Sequence, residues 1–335
     1  MIKKTPYLFP IIILLLALTP AAAHAHVKWF TEVEPVKEPI VSILSPFFMM
    51  LAIAVAVLLA VLTQVWPALT DRAFAKRIDN RLDQLRPYSS LILKYGTAAA
   101  LLIQVFTGTM LAPEFQIETT PELAFMWAAI VLLVIPHRYA GKAGASALFV
   151  LLVLLIDKAG WFHMLDYGFY LAIVGVLLLE KTKESQLGFP LLYLGTGLSL
   201  CWVAVEKWVY PSMAKDIIEN HGVPTFGFPP EAFIVMTGFI EFVVGYLLVV
   251  GILNRLLAFV LTLIFISTTM LFGMTELIGH FMIHIVLVLF IIEGVSFYKP
   301  PVAMHRSRLD QMVFVSLNFI FVLATFMIIY YRFAP

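Results

Sequence analysis

Cysteine is almost missing from this 335-residue chain, and Cys201 is the only one. A lone thiol excludes an internal disulfide, a CxxC redox or zinc motif and a CxxCH haem attachment. Charge is scarce as well. Asp, Glu, Lys and Arg make up 13% of the residues, 61% are hydrophobic, and the net charge is +1. That balance gives no bulk field to attract nucleic acid. No nucleotide-binding motif and no soluble catalytic domain stand out. What is plentiful is apolar sequence, with a mean hydropathy of +0.96. It falls in repeated runs of about 17 to 25 residues, the length of membrane-spanning helices.

The first residues read as an export signal. Lys3 and Lys4 precede an apolar core from Leu8 to Leu18, followed by Pro20 and Ala21-Ala22-Ala23-His24-Ala25. Positive, apolar and small-residue regions thus occur in order. Cleavage after Ala25 makes residues 1–25 a removed signal and His26 the first mature residue; cleavage after Ala23 exposes His24 instead. A free N-terminal histidine offers an amine and an imidazole to one Cu(II) ion, so His26 is a candidate copper ligand. Residues 26–40 then read as an extended periplasmic segment, with Trp29 and Phe30 suited to the membrane interface.

Spans are expected at about 41–66, 90–112, 121–136, 143–157, 166–180, 188–207, 231–252, 255–273, 277–296 and 312–331. With residue 26 outside, the inside loops carry Arg72, Lys76, Arg77, Arg81 and Arg86, then Arg138 and Lys142, Lys181 and Lys183, Arg255, and finally Lys299, Arg306 and Arg308. The positive-inside rule is met. The expected protein is therefore all-α, a multi-pass component of a bacterial inner membrane with ten transmembrane helices and a periplasmic mature N-terminus.

Two halves of this pattern echo each other. Lys94-Tyr95-Gly96-Thr97 matches Tyr193-Leu194-Gly195-Thr196-Gly197, the turn at Gly141-Lys142 matches Asn254-Arg255, and Glu180 matches Glu293 as the close of an aliphatic run. Four spans per unit make the two copies parallel. The expected organisation is a first helix with its basic loop (41–89), a degenerate four-helix bundle (90–181), a second four-helix bundle (188–296), and a basic loop with a last helix (297–335).

The second bundle carries ionisable residues that lipid does not tolerate cheaply. Glu206 and Lys207 close its first helix, and Glu241 lies roughly 15 Å below the start of its second. Glu276, His280 and His284 recur every four residues along one face of its fourth. Cys201 and Trp202 lie one turn below Glu206. Register places Phe106, Ala128, Tyr167 and Leu171 at the matching positions of the first bundle, so that bundle is expected to be scaffold or partner surface. Two chemistries suit the set. His280 and His284 have the spacing of metal ligands, with Glu241 or Glu206 completing the site. Alternatively, Glu206, Glu241, His280 and His284 take up protons beside a quinone headgroup, with Trp202 and Lys207 lining its site. A third reading makes them interhelical contacts, with Glu206 paired to Lys207.

Residues 188–294 resemble the DoxX-like integral membrane proteins. The resemblance rests on Glu206-Lys207, on Glu241 followed by Gly245 and Gly251, and on the turn Asn254-Arg255. It implies a four-helix bundle and an association with membrane redox systems, including subunits linked to thiosulfate oxidation by quinone. The His280/His284 pair lies outside that pattern. A further loop, Asp157 to Asp166 with His163 and Met164, is expected on the same side as His26. It reads as an aromatic interface loop or as extra copper ligands. The partners implied are the lipid bilayer and a membrane or periplasmic redox protein that supplies electrons. The remaining readings are copper handling and a non-catalytic membrane subunit or assembly factor.

Overall fold

The computed structural model describes residues 27–70, 73–252, 254–294 and 307–334. The signal at 1–25, His24 and His26, Arg72, and the basic residues Lys299, His305 and Arg306 lie outside the described residues. The described chain is helical apart from one short β-hairpin, Thr109–Met110 (β1) with Ala112–Gln116 (β2), turned through Leu111 at φ +60°.

The helices are α1 (Ile40–Ile43), α2 (Pro46–Thr70), α3 (Ala73–Asp83), α4 (Ser89–Phe106), α5 (Thr120–Val134), α6 (Arg138–Ala159), α7 (Gly168–Leu179), α8 (Gly188–Val209), α9 (Pro211–Asn220), α10 (Pro230–Val250), α11 (Asn254–Phe272), α12 (Met274–Glu293) and α13 (Arg308–Phe333). Eight of the described helical stretches are long and apolar enough to cross a membrane, and 120–134 and 163–179 are shorter apolar helices. Their ends follow local chemistry. Thr119 and Glu122 form a reciprocal capping box at the start of α5. Proline occupies the first turn of α10, and Gly251 in the left-handed region ends it.

The two expected bundles are not separate bodies. Helices α4 to α8 pack each against the next, α8 continues to α10, α10 to α11, α11 to α12, and α12 returns to α4. The result is a closed circuit of eight helices with two seams, α7 with α8 and α12 with α4. The paired helices α2 and α13 lie against it at α10 and α8. At the α8–α10 contact Gly197 and Gly245 face each other, and a Cβ on Gly245 would lie 2.6 Å from the Gly197 carbonyl oxygen. Small residues let the two backbones come this close.

The two ends of the circuit carry different ion pairs. One face carries residues 27–39, the hairpin, the loop before α7 and the C-terminal end of α8. At the opposite face Arg255 pairs with Asp79 and Asp83 and donates to the Ile291 and Ile292 carbonyls, while Arg86 donates to Glu293.

Candidate functional site

The site grows from the face that carries residues 27–39. A 3-10 turn, Val27–Trp29, drops Lys28 into the mouth of the circuit. Its ammonium lies 2.6 Å from Asp166 Oδ2 and 2.7 Å from Glu206 Oε1, and both carboxylates are buried. It also lies 3.1 Å from His163 Nδ1. Burial alone would pull the Lys28 ammonium down. The Asp166 and Glu206 carboxylates outweigh it and hold the group above the usual lysine range.

A second layer comes from the hairpin. Glu114, on β2, lies 3.0 Å from His163 Nε2 and accepts from the Tyr167 hydroxyl. Burial pushes the Glu114 carboxyl up, but the hydrogen bonds from His163 and Tyr167 and the Lys28 charge bring it below its ordinary value. Burial pulls His163 down, and the Glu114 hydrogen bond more than reverses this, so the net shift is upward. Trp29 donates its indole N–H to Tyr167 at 3.1 Å. Its ring lies over Gly279 and beside His280, with ring centroids 5.0 Å apart. Phe30 stacks on Phe272 at 4.6 Å, and Thr31 donates to Asp216. Residues 28–31 therefore form a strap across the mouth.

Below the strap lie the residues that the sequence singled out. Lys207 pairs with Glu241. Neighbours on a helix point about 100° apart, so Glu206 turns to Lys28 on the strap and Lys207 to Glu241 on α10. His280 has Nδ1 3.0 Å from Glu276 Oε1, and that oxygen accepts from Thr268 at 2.5 Å. Its ring is sandwiched between Trp29 and Phe265, the latter at 4.5 Å and nearly parallel. His284 lies one turn on and meets Phe265 edge-on at 5.9 Å. Glu241 and His280 share a cavity of about 40 Å³, whose lining includes Asp166, Thr196 and Ser199. The structure thus places Glu241 and His280 on one cavity, reaches Glu206 through Lys28 and Asp166, and leaves His284 outside its lining.

Trp202 is elsewhere. It packs against Phe162, Phe326 and Tyr330 and lines an open apolar groove of about 670 Å³ between α7 and α8. Leu171, Leu191, Leu194 and Leu198 form exposed parts of its wall. Ser199 borders both the groove and the polar cavity.

The first four-helix set is more than scaffold. It supplies Asp166, His163 and Tyr167 from the turn before α7, and Glu114 from the hairpin after α4. The sequence signal is modest: His163 and Asp166 share one short loop, while nothing around Glu114 or Lys28 in the chain distinguishes them from other loop charges. Among the described residues, no group of three or more His, Cys, Asp or Glu side chains is placed to hold a metal ion. At His163 both ring nitrogens are engaged, one of them by an ammonium that repels a cation.

Helices of this length around buried ion pairs define a multi-pass integral membrane protein. The family model described as DoxX matches residues 192–274. This segment runs from α8 to the first residue of α12 and includes Glu206, Lys207 and Glu241, but stops short of His280 and His284. No curated protein matches the chain, and no solved structure does.

Proposed function

We propose that this is an inner-membrane protein with a redox-associated role, binding an isoprenoid quinone in the α7–α8 groove. The observation that carries this reading is that Ser199 lines both an open apolar groove and a small cavity whose wall includes Asp166, Glu241 and His280. A quinone needs both. Its tail needs an apolar slot open to lipid, and its headgroup exchanges protons whenever it exchanges electrons. Carboxylates and imidazoles perform such proton exchange. In this role Glu241 and His280 are the nearest proton-exchanging groups. Glu206 and Asp166 connect them to the strap, Lys207 holds Glu241, and Trp202 forms the groove wall. The electrons come from a partner protein.

The strap face is periplasmic in this reading. Support comes from the export signal and from Arg86 and Arg255 at the opposite face, as the positive-inside rule asks. Ten crossings are supported by chain direction. The hairpin after α4, the turn before α7 and the end of α8 all meet at the strap face, the arrangement that follows if the short helices α5 and α7 traverse the bundle as well. The paired contacts of α4–α7 and α8–α12 are also what an ancestral duplication would leave.

Lipid extracts of the protein, purified in mild detergent, test the reading. A quinone is expected at near-stoichiometric amounts in the wild type. Leu198→Trp fills the groove from its exposed wall and is expected to lose it without loss of fold. Absence of quinone from the wild type, or an equal amount in Leu198→Trp, would remove the proposal. Copper handling rests on His26 alone. Metal analysis of wild type and His26→Ala, with N-terminal sequencing, decides it.

A further inference from the structure

We infer that the small cavity beneath the strap holds one ordered water molecule, and that this water joins the two buried ion pairs into a single proton-exchanging chain. Two buried polar atoms point to it. Asp166 gives Oδ2 to Lys28, and its other oxygen, Oδ1, has no partner. The Thr196 hydroxyl has none either, and the two residues are 2% and 1% exposed. Both line the cavity.

Thr196 is informative because of what it does not do. A threonine in a helix ordinarily turns its hydroxyl back onto the carbonyl four residues earlier. Thr97, Thr237 and Thr262 each do so here, onto Leu93, Phe233 and Ala258. Thr196, on α8, leaves its hydroxyl for the cavity. A buried polar atom without a protein partner is commonly satisfied by water. The volume of about 40 Å³ exceeds what one water needs and is far too small for a headgroup. Phe169, Leu200, Val203, Phe265 and Ile283 close the remaining walls.

A water here donates one hydrogen to Asp166 Oδ1 and accepts from Thr196. Its second hydrogen is free for Glu241, which lines the same space beside His280. Lys28–Asp166 and Lys207–Glu241, otherwise separate pairs, become linked. The water stands on geometry alone. Its use in delivering protons rests on the quinone reading proposed above.

The test is infrared difference spectroscopy in lipid nanodiscs, comparing H2(16)O with H2(18)O. The wild type is expected to show an isotope-sensitive O–H band from a buried water. Thr196→Ser keeps the hydroxyl and keeps the band; Thr196→Val, similar in volume, loses it. On the same samples the Glu241 carboxylate band, identified by its loss in Glu241→Gln, is expected to shift between wild type and Thr196→Val. No band in the wild type overturns the water. A band unchanged in Thr196→Val overturns its position, and an unshifted Glu241 band overturns the chain. Quinone content is measured in parallel. Bound quinone without the band removes the water alone, and a band without quinone removes the quinone reading alone.

Discussion

Lys28→Met is the most direct perturbation of the strap. The Lys28 ammonium is the shared counter-ion of Asp166 and Glu206, whose side chains are 1% and 3% exposed. Removing one partner of a buried pair costs about 3–5 kcal/mol, because the other charge stays behind without compensation. The lysine side chain is itself 20% exposed, so water reaches the site and can relieve part of the loss. We therefore expect the low end, about 3 kcal/mol, or roughly two orders of magnitude in the folding equilibrium. Unfolding by SDS in mixed micelles gives the equilibrium. A double-mutant cycle with Asp166→Asn separates the pair from the rest, and the double variant is expected to lose clearly less than the sum of the singles. The sign with pH follows from the raised Lys28 pKa. On the alkaline side its contribution is complete below the ordinary value of 10.5 and fades as pH climbs through the folded-state value. The lower edge is set by Asp166, which burial pushes up to about 7: the difference between wild type and variant is expected to be full at about pH 8 to 9 and to shrink as pH falls through 7 and that carboxylate gains a proton. A loss under about 0.5 kcal/mol, the range of ordinary surface substitutions, or a strictly additive cycle would refute a buried counter-ion.

Gly279→Leu places a side chain where Trp29 lies, since even a Cβ there would come 2.0 Å from the indole Cζ3; acrylamide quenching of Trp29 is expected to rise, and unchanged quenching would contradict the seated strap. Gly245→Val forces α8 and α10 apart at the Gly197 contact, with an expected loss of about 1–3 kcal/mol from overpacking, read from SDS unfolding and contradicted by an unchanged midpoint. For the hairpin, Glu114→Gln removes the group that raises His163, leaving the burial that lowers it, so the imidazole midpoint in NMR is expected to fall; a midpoint that stays put would show that Glu114 does not set it. In the wild type the His163–Glu114 tie is strongest between the lowered Glu114 pKa and the raised His163 pKa. It weakens above that window as the imidazole loses its proton, and below it as the carboxylate gains one.

The helices were largely legible because a span is a local property. Length and apolarity alone located α2, α4, α6, α8 and α10 to α13. The polar set was legible for a related reason: Glu241 and His280 stand out against lipid-compatible neighbours, and both line one cavity. Partnerships were not legible. Glu206 sits beside Lys207 in the chain, yet its cation is Lys28, 178 residues earlier by number. Periodicity reports which residues share a helix face but not which element that face meets. The contribution of the first four-helix set was hidden for the same reason. Its acids lie in a short hairpin and a turn, where a charge looks solvated until a lysine from elsewhere is folded onto it. The hairpin was also missed, since Thr109–Gln116 is too short to show alternation and turns through Leu111 rather than a glycine.

The strap has a consequence for biogenesis. Lys28, Trp29 and Phe30 leave the ribosome before any of their seats exists. Asp166 and Tyr167 follow more than a hundred residues later, and Glu206, Phe272, Gly279 and His280 later still. The strap, though made early, therefore docks only after α12 is inserted. Until then Trp29 and Phe30 have no seat against His280 and Phe272, and the mouth lacks its strap.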